Sequence, residues 1–151
     1  MKISIRTLLS LSFLILLAGL LTPLRAEAAD NARIDVILVK AGSGEGGVDR
    51  ALRPYASTLQ RLFRFQQYEL VSRKPLRVNL PGDGSVALPG GQQLSLSATA
   101  SPGPGIKADI DWIRGSKRLL HTRIQLRPGS PAVLGGPRSK NGTWLLILQL
   151  K

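Results

Sequence analysis

From Arg33 to Lys40 the chain reads RIDVILVK, with four apolar residues, Val36 to Val39, in unbroken succession. A strand covered on one face alternates apolar and polar positions; a continuous β-branched run predicts one buried on both. A glycine loop follows, Gly42 to Gly47, and the period then changes. Val48, Leu52, Tyr55, Leu59, Leu62 and Phe63 cluster at helical spacing, which predicts an amphipathic helix from about Asp49 to Arg64. Its Pro54 is tolerable only near the first turn. Phe65 to Val78 reads as a second strand, with Pro75 as a potential interruption.

Everything downstream has β character punctuated by turn signals such as LPGDGS, SPGPG and RPGSP. In KADIDWIR, Ala108, Ile110 and Trp112 face one side; in LLHTRIQLR, Leu120, Thr122, Ile124 and Leu126 do. A one-residue slip would turn either strand inside out, so the apolar faces predict Trp112 opposite Leu120 and Ile110 opposite Thr122. Asp111 then faces His121, and Asp109 faces Arg123. This register calls for an odd-length connection centred on Ser116 instead of a tight Gly115-Ser116 turn. Thr143 to Leu150 (TWLLILQL) is apolar on nearly both faces and predicts a central strand. Together these elements predict an α+β chain. It has one N-terminal β-α-β unit, its single amphipathic helix packed on a mostly antiparallel sheet or meander.

The first residues change the picture of where this domain works. Lys2 and Arg6 precede an apolar run from Leu8 to Leu21, and Ala26 and Ala28 form an A-x-A cleavage site. This is the pattern of a signal peptide over residues 1–28, since a membrane-spanning helix needs about 20 apolar residues. Cleavage leaves one small domain, 29–151, exported to the periplasm or the exterior, with no stable membrane span. It removes Lys2, Arg6, Arg25 and Glu27, so the net charge falls from +12 to +10. A balance so basic favours an acidic protein surface or an anionic envelope polymer as partner, and export disfavours nucleic acid. There is no cysteine, so the core alone must hold the fold.

Candidate chemistry is sparse. Gly42, Gly44 and Gly47 fit G-x-G-x-x-G, but one β-α-β unit makes no dinucleotide crevice, and Glu45 would oppose a phosphate. No Gly-Lys-Ser/Thr ends the run, which excludes a Walker-type loop. With one histidine and no cysteine a zinc site of those residues fails by count. His121 with Asp111 reads as an ion pair, because no G-x-S-x-G elbow accompanies it. Asp83-Gly84 and Asn141-Gly142 read as turns. Neither a cofactor nor a catalytic residue is expected.

The remaining signal is on the predicted helix, where Arg50, Arg53, Arg61 and Arg64 fall within an arc of about 80° at 100° per residue. Arginine forks bind carboxylates and phosphates bidentately and are common at interfaces. These four are the candidate partner-binding residues. LRPGSPAVLGGP, Leu126 to Pro137, followed by TWLLILQL, resembles a motif near the end of the β-domain of bacterial outer-membrane secretins. There a glycine turn, a short strand and a Gly-Gly precede a further strand. The long β-domain and repeated modules of secretins are missing here, so no secretin function carries over, and the resemblance only adds slightly to the case for an envelope-assembly role. The expectation is a non-catalytic exported interaction or assembly protein, with a polyanion-binding module for lipopolysaccharide, wall polymer or acidic glycan as the alternative.

Overall fold

The computed structural model describes residues 30–151; the expected signal peptide over residues 1–28 lies outside them. The strands are β1 (Asn31–Gly42), β2 (Gly47–Val48), β3 (Gln67–Asn79), β4 (Gly82–Leu88), β5 (Gln92–Ala100), β6 (Ile106–Arg114), β7 (Lys117–Leu126), β8 (Ala132–Ser139) and β9 (Gly142–Leu150). One helical segment interrupts them, a 3-10 turn at Arg50–Tyr55 running into α1, Ala56–Leu62.

The strands form two sheets, one ordered β2-β3-β1-β9-β8 and the other β4-β5-β6-β7. This overturns the expected α+β fold with its β-α-β unit. The chain is mostly β, and the strands on either side of the helix, β1 and β3, pair directly and antiparallel. The reason lies in what buries Val36 to Val39 on two sides. Ile34, Val36 and Leu38 point into the sandwich, packing with Leu94, Leu96, Ile110 and Trp112 of the second sheet. Ile37, Val39 and Ala41 point the other way, under Leu52, Tyr55 and Leu59 of the helical segment. A run buried twice over thus reads like a parallel strand while sitting in an antiparallel sheet. β9 is central as expected, between β1 and β8, with Leu145 to Leu148 fully buried.

The helix is shorter than its periodicity suggests. Pro54 has no N–H to close an α-helical bond, so the stretch before it tightens into the 3-10 form. Phe63, extended in its backbone, ends α1. Asp49 fixes the beginning: its Oδ1 accepts from Ala51 N at 3.0 Å and its Oδ2 from Leu70 N at 3.3 Å. Tyr68 fixes the end, its buried hydroxyl 2.8 Å from Phe63 O and 3.2 Å from Leu59 O. Burial pushes that phenol above its ordinary pKa. Strand β3 passes through Pro75 without a break.

The β6–β7 pairing has the expected register, with Trp112 opposite Leu120, Ile110 opposite Thr122, Asp111 opposite His121 and Asp109 opposite Arg123. The connection differs. Gly115 and Ser116 make a tight turn between Arg114 and Lys117, with Gly115 at φ 58°. A bulge then skips Leu119 and restores the register. A second bulge sets Gly136 and Pro137 against Trp144, and the paired glycines Gly135 and Gly136 of the secretin-like stretch face different layers. Gly135 lies beside Phe63, whereas a Cβ on Gly136 would stand 2.3 Å from the Trp112 ring.

Candidate binding face

The helical segment covers only part of its side of the five-stranded sheet. Arg50, Arg53, Arg61 and Arg64 are all exposed, and among the described residues none pairs with a carboxylate. They do not form the single helical stripe expected of them. Arg50 and Arg53 are three apart in a 3-10 turn, where i and i+3 eclipse, and so share one line. Arg61 belongs to α1, while Arg64 lies beyond its C-cap. Between them Leu62 is 53% exposed, the one large apolar side chain so exposed among the described residues.

The uncovered part of the same sheet side carries charge that the helical reading missed. Arg33, Asp35, Arg73, Pro75 and Lys151 line an open recess of about 550 Å³. Asp35 Oδ2 accepts from Arg73 Nη2 at 2.6 Å and pairs with Lys151 Nζ at 3.5 Å. Burial raises the Asp35 pKa, but the hydrogen bond and charge of Arg73, then Lys151, outweigh it and hold the carboxyl below its ordinary range. The Asp35 hydrogen bond in turn raises Arg73. A sequence signal existed: Arg33 and Asp35 alternate with Ile34 and Val36, and Arg73 and Arg77 flank the Leu76 position on the same side of β3.

Asp35→Asn tests this ion pair. The folded-state pKa is lowered, so its contribution is complete above about pH 4 and is lost as pH falls through the lowered value. Because Arg73 is half exposed, a loss of only about 1 kcal/mol is expected at pH 7. Urea unfolding at pH 7 and at pH 3 checks it; equal deficits at both would remove the ion-pair explanation.

The outer face of the four-stranded sheet is built differently. Asp83, Ser85, Ser95, Ser97, Asp109 and Asp111 line a groove of about 520 Å³. Arg118 Nε and His121 Nδ1 lie 2.9 and 3.0 Å from Asp111 Oδ1, and Arg123 Nε lies 2.7 Å from Asp109 Oδ1. Asp111 stands between Ser95 and His121 in the ladder, which places that serine two strand spacings, about 10 Å, from the imidazole. The order serine–aspartate–histidine is wrong for a base acting on a nucleophile. The glycine loop is no phosphate cradle either. Gly47 and Val48 pair with Gln67 and Tyr68, and the Gln67 side chain fills the space over Gly44 and Gly46.

No family model, curated protein or solved structure matches the chain. What its own residues define is a helix-covered β-sandwich with two contrasting outer faces, one basic around the helix and one carrying paired aspartates.

Proposed function

We propose that the chain is a non-catalytic exported protein of the cell envelope or exterior that binds an acidic protein surface through its helical layer. The observation that carries this reading is the company the four arginines keep. Exposed arginines without local acids, beside Leu62 and the half-buried Phe63 and Phe65, match the arginine and aromatic enrichment of protein interfaces. Phe63 and Phe65 stack with ring centroids 6.4 Å apart and pack against the cluster under the helical layer. The recess around Asp35 favours a second reading, in which an anionic polymer binds.

The test is retention of partners from an envelope extract by residues 29–151, at low and at high salt. A parallel sample carries glutamine at Arg50, Arg53, Arg61 and Arg64. One protein held at high salt and lost from the glutamine sample is the expected result. If salt strips everything from both samples alike, the helical layer is no interface.

A further inference from the structure

Three cations stand in one row across three neighbouring strands at the uncovered end of the five-stranded sheet. Arg33 on β1 faces Arg77 on β3 directly. On the other side of Arg33, Lys151 N donates to Arg33 O at 2.9 Å and continues the β9 register. Adjacent strands are about 4.8 Å apart, so the row spans roughly 10 Å. Like charges placed directly opposite destabilise a sheet. Here no acid lies in the row, and Asp35 one step along is already bound to Arg73 and Lys151. Arg33 and Arg77 have no carboxylate partner among the described residues. The fold bears a repulsion that an arginine-to-glutamine change at either position would relieve.

We propose that this recess, extended along the sheet by Arg77 beside Arg33, binds a chain of two or more phosphate groups laid across the strands along Arg77, Arg33 and Lys151, with Arg73 held in place beside them by Asp35. This rests on the second reading above and gives it a site and a ligand class. Counted by side chains alone, Arg33, Arg73, Lys151 and the neighbouring Arg77 against Asp35 leave a charge of +3. Acidic side chains on one side of an extended peptide recur only every 6.6–6.8 Å or so, each with a single charge. Linked phosphate groups bring about one charge each and nearly two at the chain ends, more closely spaced than such carboxylates, and their oxygens suit the arginine fork. The recess also has a wall. Arg73 stands opposite Ile37, and Ile37 is already covered by Leu52, Tyr55 and Leu59 of the helical layer, so that layer rises at the edge of the recess. A helix is about 10 Å across, so a flat membrane resting on it would pass above the recess floor, while a chain can lie in it.

Titration calorimetry with the protein at low salt decides this. Tripolyphosphate is expected to bind one-to-one, at least about tenfold more tightly than inorganic phosphate or triglutamate. The double variant Arg33→Gln, Arg77→Gln should weaken it at least about tenfold. The variant with glutamine at Arg50, Arg53, Arg61 and Arg64 should bind it as the parent does, which keeps this result separate from the fate of the helical interface. Without ligand, Arg33→Gln should raise Tm by about 1–4 °C as the like-charge contact is relieved. The proposal is overturned by equal affinity for triglutamate, by tripolyphosphate binding that survives the double variant, or by a lowered Tm in Arg33→Gln. Sedimentation with phosphatidylglycerol vesicles that matches tripolyphosphate in affinity, and is lost in the double variant, would overturn the chain-like ligand in favour of a lipid surface.

Discussion

Gly136→Val is expected to destabilise the protein by about 3 kcal/mol, an overpacking cost at the upper end of the usual range. A Cβ there would meet the Trp112 ring atoms at 2.3 and 2.4 Å and Trp144 O at 3.0 Å. The ring has little freedom to yield. Trp112 is fully buried, and its Nε1 donates to Gln92 Oε1 at 2.9 Å. Gln92 is itself buried, and its Nε2 has no partner, so swinging the indole away would strand the rest of that amide. Trp112→Leu removes the obstructing ring at its own cost of a few kcal/mol. The two changes together should therefore cost less than the sum of their separate effects, which a denaturation cycle measures. Strict additivity would mean the clash is absorbed elsewhere.

Leu59→Ala is the second large effect, at about 2–5 kcal/mol. Leu59 is fully buried between the helical layer and Ile37, Val39, Leu145 and Ile147. A helix as short as α1 is not stable alone, so its place depends on this packing. The loss should be local first: hydrogen exchange is expected to speed up through residues 50–63 before the four-stranded sheet responds. Retention of the proposed acidic partner should fall with it, because the arginines ride on that layer. Uniform acceleration across both sheets would show that the layer and the sandwich open as one unit.

The pairing of β6 with β7 was legible because apolar and polar positions alternate along both, and a slip would bury Asp109 or Arg123. That is why pairs such as Trp112–Leu120 could be read off without knowing the turn, and why the error fell on the connection, where the bulge at Leu119 leaves no mark on the hydrophobic pattern. The direction of β1 was illegible for another reason. Burial on two sides says nothing about whether the cover is a second sheet, a helix or, as here, one on each side. The arginines were found by helical arithmetic, yet Pro54 and the cap at Phe63 break that arithmetic into pieces. Those of β1 and β3 came together only through pairing between residues more than forty positions apart.

The strand order has a consequence in time. β4 to β7 are joined in sequence order, each pairing with the next, and can form as soon as they exist. β1 cannot be completed so soon: its two neighbours are β3 and β9, the last strand of the fold. Until Thr143 to Leu150 have emerged, the most apolar edge of the protein stands open along Val36 to Val39. Closing that edge joins residues more than a hundred positions apart, the slow kind of contact. A chain cut short before Thr143 would therefore be not a slightly shortened protein but a sticky one, with a ready template for aggregation exposed.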